Sequence, residues 1–163
     1  MTDFDKRDGE VTLGFDPDET ADDGRVVFIG KIRSPWKTRS ECPKNIARAR
    51  ERGQPAYLEI DDAWRPGLTG LEVGGHIFVL YWMAEARRDL IMQKPRHRPE
   101  PTGVFALRSP ARPNPIALGV VRILELDQIA GRIKIDAIDA LDQTAIVDIK
   151  PWFDTTDIAT PAP

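Results

Sequence analysis

The stretch from Pro101 to Gly119 is the densest in groups able to do chemistry: Pro101-Thr-Gly-Val-Phe-Ala-Leu-Arg-Ser-Pro-Ala-Arg-Pro-Asn-Pro-Ile-Ala-Leu-Gly119. Pro110, Pro113 and Pro115 fall within six residues. Proline fixes φ and removes a backbone donor, so the stretch is stiff and is no ordinary central strand. Each residue before a proline is pushed toward extended geometry, here Ser109, Arg112 and Asn114. The loop therefore presents Arg108, Ser109, Arg112 and Asn114 on a pre-shaped support, and two guanidiniums with one amide suit a polar, anionic ligand. The plain alternative is a proline-rich turn with solvated arginines.

Other reactive residue types are few. His76 opens an apolar run, where a histidine is more often a structural hydrogen bonder than a catalyst. His97 lies in the basic step Lys94-Pro-Arg-His-Arg98, suited to RNA phosphate or to an acidic segment of the same chain. The single cysteine, Cys42, excludes an internal disulfide framework and a cysteine-built zinc site, and no metal is expected. Its surroundings give no reason to call it reactive. Trp36, Trp82 and Trp152 read as core or interface aromatics, and Asp148 as structural. No G-x-G-x-x-G follows a strand and no G-x-x-x-x-G-K-[ST] occurs, so neither a Rossmann site nor a P-loop is supported.

The elements that must carry these residues are mostly strands. The 163 residues suggest one domain. Strand patterns occur at Arg25 to Arg33, Ala56 to Ile60, His76 to Met83, Gly103 to Arg108, Ile116 to Leu126, Gly131 to Ile138 and Ala145 to Lys150. Within residues 131–138, Ile133, Ile135 and Ala137 alternate with Lys134 and Asp136, the half-buried strand period. A short helix fits Ile46 to Arg52, and the glycines of residues 61–75 mark turns with one helical turn. Residues 84–101 read as a long charged loop. Strands spaced by short turns, with no strand–helix rhythm, predict an all-β, mainly antiparallel fold: a single β-barrel domain with short helical insertions.

Charge divides the chain. Residues 1–24 carry nine acids against Lys6 and Arg7, a net −7, and read as a solvated, flexible leader. Residues 25–152 hold 21 Lys and Arg against 15 Asp and Glu, a net +6, which permits a nucleic-acid partner without proving one. The domain is placed at residues 25–153, with 154–163 as a frayed tail. No run of about 18 apolar residues occurs, and the start lacks an apolar signal core, so the expectation is no membrane and a cytoplasmic setting.

Five blocks together carry a resemblance: Ile29-Gly-Lys-Ile-Arg-Ser-Pro-Trp-Lys37, Cys42-Pro-Lys-Asn45, Pro95-Arg96, Gly103-Val-Phe-Ala-Leu-Arg-Ser-Pro-Ala-Arg-Pro-Asn-Pro-Ile116 and Val147-Asp-Ile-Lys-Pro-Trp152. Their order and content closely resemble the TsaA-like family, also called TrmO or YaeB-like, over residues 26–153. The resemblance implies a β-barrel methyltransferase using S-adenosyl-L-methionine. It implies as substrate N6-threonylcarbamoyladenosine beside the anticodon of tRNA, methylated on N6. It also implies a homodimer with the cofactor near the subunit interface. By the same resemblance Pro43, Lys44 and Asn45 line the cofactor site. Arg96 and Arg108 match basic positions near it, either able to pair with the methionyl carboxylate. His76 matches a frequent histidine, and Leu141, Asp142, Gln143 and Thr144 match a turn that holds the adenosine part. This chain has Gln143 where glycine is frequent and Ala145 where proline is frequent, and Ala84-Glu85 where some members have His-Gln.

Methyl transfer from a sulfonium needs an in-line alignment of nucleophile, methyl and sulfur. A nitrogen between a purine and a carbamoyl group has a delocalised lone pair, so a proton acceptor within reach is expected. Asn114 is not basic and is assigned to the base edge or carbamoyl group; Asp142, or a water, is the expected acceptor. Two other readings are carried: a methyltransferase of the same fold on a non-tRNA substrate, and a non-catalytic S-adenosyl-L-methionine-binding module. The first draws on the chain's end at residue 163, where some members continue into a second domain thought to help hold tRNA.

Overall fold

The computed structural model describes residues 6–20, 24–95 and 98–159. Among the described residues, nine strands are β1 (Val11–Thr12), β2 (Gly30–Arg33), β3 (Ala56–Ile60), β4 (His76–Trp82), β5 (Leu90–Gln93), β6 (Thr102–Gly103), β7 (Ile116–Asp127), β8 (Arg132–Ile135) and β9 (Ala145–Pro151). Three short helices are α1 (Pro17–Thr20), α2 (Ile46–Glu51) and α3 (Asp154–Asp157), with 3-10 turns at Asp62–Leu68 and Val104–Ala106. Strands and short helices agree with the all-β antiparallel expectation.

The chain falls into two compact units where the sequence suggested one. The larger, Val26–Trp82 with Leu118–Pro163, contains a closed ring of six strands in the order β2-β3-β8-β7-β4-β9. Antiparallel registers set Leu58 opposite Ile32 and Ile133, Ala56 opposite Ile135, and Gly30 opposite Ile60 and Ile146. The strand period then sends one side chain in two to the ring's interior. Ile32, Leu58, Ile77, Val79, Val121, Ile123, Ile133, Ile135 and Ile146 are buried there. Each contributes about 1.5–3 kcal/mol of apolar burial. His76–Trp82 is apolar throughout, yet only Ile77, Val79 and Tyr81 are fully buried and their neighbours are half-buried. β4 thus has one core face, not two.

The smaller unit, Met1–Arg25 with Met83–Ala117, is built on a three-stranded sheet ordered β1-β5-β6. Two expectations change here. Residues 84–101 are not a structureless loop, because Leu90-Ile-Met-Gln93 forms β5 and pairs Met92 with Val11 and Gly103. Charged flanks and prolines had masked that short apolar run. Residues 10–13 of the acidic leader are likewise no solvated arm: β1 is paired, and Leu13 N–H donates to the Asp89 carbonyl at 2.7 Å. Glu10 is buried and accepts from the Arg7 amide at 3.1 Å. Gly103 to Arg108, read as a strand, leaves β6 at Gly103 and coils into the 3-10 turn, its Leu107 amide donating to the Val104 carbonyl.

Gly30 shows how closely the ring is packed. A Cβ at this buried residue would stand 2.1 Å from the Glu59 carbonyl oxygen and 2.9 Å from Ile60 Cα. Gly30→Ala is expected to lower stability by at least about 2 kcal/mol through forced separation of β2 and β3. Urea unfolding checks it, and an unchanged midpoint contradicts the packing described.

Candidate functional site

In the larger unit the Leu141–Thr144 turn is fastened to the exit of β2. The Asp142 amide donates to the Trp36 carbonyl and the Gln143 amide to the Ile32 carbonyl, both at 2.8 Å, and the Ile32 amide donates to the Thr144 carbonyl at 2.8 Å. Side chains add to this. Ser34 Oγ donates to the Ala140 carbonyl at 2.7 Å, and the buried Trp36 indole N–H donates to the Ile138 carbonyl at 2.8 Å. Thr144 Oγ1 and its amide both donate to the Leu141 carbonyl. All three amides of residues 142–144 are therefore spent internally, leaving carbonyls and side chains to face a ligand.

Asp142 is central to this fastening. Its Oδ1 accepts from the Ser34 amide at 3.1 Å and its Oδ2 from Lys37 Nζ at 2.6 Å, with Arg33 at 3.8 Å. Burial pushes its pKa up, but the bonds from Lys37, Ser34 and Gln143 and the Lys37 charge outweigh it and hold the carboxyl below the ordinary aspartate range. A carboxylate so committed is a weak proton acceptor. Gln143 has φ of 71°, the left-handed region that favours glycine. The turn thus keeps a glycine-type backbone despite its glutamine.

The segment before α2 is shaped from within the same unit. Glu41 accepts from the Thr38 amide at 2.9 Å and the Lys37 amide at 3.0 Å. Asn45 caps α2, its Oδ1 accepting from the Arg48 amide at 2.9 Å. Its amide N–H groups carry no bond among the described residues. Pro43 is buried and Lys44 exposed. Ile46 Cδ1 lies where a Cβ on Gly119 would meet it at 3.2 Å, so α2 lies close against β7. Arg52, at the end of α2, stacks 5.0 Å from the Trp36 ring and donates to the Glu41 carbonyl.

A second carboxylate, to which the sequence reading gave no role, lies between these segments. Asp139 Oδ1 accepts from the buried Tyr81 hydroxyl at 2.7 Å. Burial, with the Asp139 charge and hydrogen bond, drives the Tyr81 pKa far up. Burial and then the same charge push the Cys42 thiol up to about 11, against the nearby Arg52 charge. Cys42 is thus an inert thiol at neutral pH, as the sequence suggested. The one signal for Asp139 in the sequence is a polar residue set between Ile138 and Ala140, which are both buried.

Of the remaining expected residues, one lies elsewhere in this unit and the others belong to the smaller unit or fall outside the described residues. His76 is exposed at the far end of β4 from Trp82, which pairs with Ala145 beside the turn; six residues of strand make about 20 Å. Arg108 and Asn114 belong to the smaller unit, where both are exposed and their side chains have no hydrogen bond among the described residues. Arg112 there is consumed by its own loop, donating to the carbonyls of Ser109 and Val104 at 2.8 Å and of Leu107. Gln93 holds the Ala111 carbonyl and Arg88 the Pro113 carbonyl, so proline and side-chain ties together fix this loop. Arg96 and His97 lie outside the described residues. Glu85 is exposed in the smaller unit. An open cavity of about 400 Å³ in the larger unit is lined by Lys31, Asp61, Arg65 and Arg132 and by none of the expected residues. Its Arg65 is tied to Asp62 and two carbonyls, and Arg132 covers the Tyr57 ring, so most of its charge is spent.

Comparison with known proteins bears on this geometry. The family model described as tRNA-methyltransferase O N-terminal domain matches residues 31–158. A probable S-adenosyl-L-methionine-binding protein of Methanothermobacter thermautotrophicus is 38% identical over 133 residues, 82% of this chain and 93% of that protein. The tRNA (adenine(37)-N6)-methyltransferase of Escherichia coli is 30% identical over 138 residues, 77% of this chain and 56% of the enzyme. A crystal structure of TrmO superposes with a TM-score of 0.67 at 31% identity, covering 86% of this chain and 62% of that one. The chain thus spans roughly three fifths of the solved structure and of the E. coli enzyme.

Two outcomes follow from the turn. Gln143→Gly relieves the left-handed backbone and is expected to raise stability by about 1 kcal/mol, less the bond from Gln143 to Asp142. A fall in thermal midpoint contradicts the strain. Asp142 has a folded pKa below its unfolded value. Its stabilisation is therefore complete above about pH 4 and lost as pH falls through the folded value. Asp142→Asn should lower stability at pH 7 and flatten the acid limb of the stability–pH curve; an unaltered limb contradicts the fastening role.

Proposed function

The chain belongs to the tRNA-methyltransferase O N-terminal domain family, and from that premise we propose that it transfers a methyl group from S-adenosyl-L-methionine to the N6 nitrogen of an adenosine in tRNA. The observation that carries the reading is the match over residues 31–158, which takes in the fastened turn, the Pro43–Asn45 segment and the Pro-rich loop. The similarity to a tRNA (adenine(37)-N6)-methyltransferase supports the adenosine beside the anticodon as acceptor, in its N6-threonylcarbamoyl form by the sequence resemblance.

The donor set of the ring unit fits the cofactor. Asp142 and Gln143 offer to an adenosine backbone carbonyls that carry no hydrogen bond among the described residues, and Asn45 offers its unused amide N–H groups. Pro43, Lys44 and Asn45 form one wall by the resemblance. On the smaller unit, Arg108 is an exposed guanidinium able to pair a carboxylate in two parallel bonds. Asn114 offers an amide donor and acceptor for the carbamoyl group. When bound, the cofactor supplies an electrophilic methyl group. The work of the chain is to hold the acceptor nitrogen in line with it, exclude water and take up a proton.

Asp142 serves this site as the pin of its turn, not as the base. A homodimer and a cytoplasmic setting are part of the same reading. Three consecutive exposed apolar residues, Val26, Val27 and Phe28, support the dimer as a surface for a second copy. A second reading, binding without turnover, is favoured by the name of the Methanothermobacter thermautotrophicus relative, an S-adenosyl-L-methionine-binding protein.

The deciding assay incubates the protein with methyl-labelled S-adenosyl-L-methionine and total tRNA from cells lacking this activity, followed by nucleoside analysis. Label on an N6-modified adenosine is expected. Cofactor binding by calorimetry with no label in RNA favours the second reading or another acceptor, and absence of binding overturns the cofactor site.

A further inference from the structure

We propose that Asp139 is the proton acceptor of the methyl-transfer step and that Tyr81 is the residue that positions it. The inference rests on the methyltransferase reading above and deepens it.

Three observations lead here. First, the two carboxylates differ in what holds them. Asp142 is bonded by an ammonium and a backbone amide, with a guanidinium nearby. Asp139 has no cation within ion-pair distance among the described residues, and its one hydrogen bond comes from the neutral Tyr81 hydroxyl to Oδ1. Oδ2 remains open. Second, its backbone is fixed on both sides. Trp36 holds the Ile138 carbonyl and Ser34 the Ala140 carbonyl, so the carboxylate is aimed by anchored main chain and one side-chain bond. Third, its position joins both segments that the reading gives to the cofactor. Asp139 precedes the Leu141–Thr144 turn, and its charge is felt by Cys42, which opens the Pro43–Asn45 segment. Asp139 is only partly buried, while Tyr81 beneath it is 3% exposed.

The step balances without a further reactant. The N6–H proton passes to Asp139 Oδ2 as the nitrogen forms its bond to the methyl carbon. The carbon–sulfur bond breaks with its electron pair kept by sulfur. A carboxylate, a sulfonium and a neutral nitrogen become a carboxylic acid, a thioether and a methylated neutral nitrogen. The titratable and charged groups that face Asp139 are Tyr81 from β4 and Cys42 from the segment before α2, with Arg52 beyond Cys42.

The test compares Asp139→Asn and Tyr81→Phe with the unsubstituted protein. Asparagine keeps an acceptor for the Tyr81 hydroxyl, so a thermal melt near the parent's is expected. Methyl transfer should fall by about 100-fold or more in Asp139→Asn, with cofactor affinity by calorimetry within two-fold, and a rise of rate with pH expected in the parent should be absent from the variant. Tyr81→Phe should lose about ten-fold and retain that pH dependence at a shifted midpoint. A second readout needs no turnover and no variant: in the carbon-13-labelled parent, adding N6-threonylcarbamoyladenosine nucleoside should move the Asp139 carboxyl resonance. Transfer by Asp139→Asn within three-fold of the parent overturns the proposal, as does an unmoved Asp139 resonance when the nucleoside binds. Failure of the parent itself to bind cofactor and transfer label overturns the methyltransferase reading, and is told apart because it appears before any substitution is made.

Discussion

The ring unit depends on the bond set that joins the Leu141–Thr144 turn to the exit of β2. Ile32 and Trp36 each give and take bonds across this junction, Ser34 gives two, and the Asp142 carboxylate closes it between the Ser34 amide and Lys37. A turn whose three amides are consumed internally has one conformation available. That rigidity leaves the Asp142 and Gln143 carbonyls without a hydrogen bond among the described residues. It also sets where β9 begins, and through the pairing of Ala145 with Trp82 and Lys31 it sets the register of the strands on either side.

The same junction divides the labour between two aspartates three residues apart. One is engaged by cations and amides and so gives stability. The other is held by a neutral hydroxyl, with no cation in ion-pair reach among the described residues. Environment, not residue type, separates the two roles. The smaller unit applies the same economy to arginine: Arg112 closes the carbonyls of its own loop, while the exposed Arg108 side chain carries no hydrogen bond among the described residues. A stiff loop with one spent and one free guanidinium is more selective than a loop with two free ones, because a single fixed charge defines direction.

Much of the ring was legible in the sequence because strand period and apolar type agree there. Ala56–Ile60 and Ala145–Pro151 were readable to within a residue or so. The smaller sheet was not, because β1 and β6 are two residues each and gain their structure from partners distant in sequence. Arg112 looked like a ligand group because composition cannot tell a solvated guanidinium from one satisfying buried carbonyls. His76 looked like part of the site because a motif preserves order along the chain and not distance; β4 carries it away from the turn. Gln143 read as a departure, yet its backbone takes the conformation a glycine would. Asp139 escaped notice because its meaning lies in Tyr81, 58 positions away.

The most direct test of the account is amide hydrogen exchange with and without S-adenosylhomocysteine, the demethylated form of the cofactor. The fastened turn and the segment before α2 are predicted to gain protection together, at residues 43–46 and 139–144. Protection confined instead to the segments around Lys31, Arg65 and Arg132 would place the ligand in the cavity those residues line and contradict the site described.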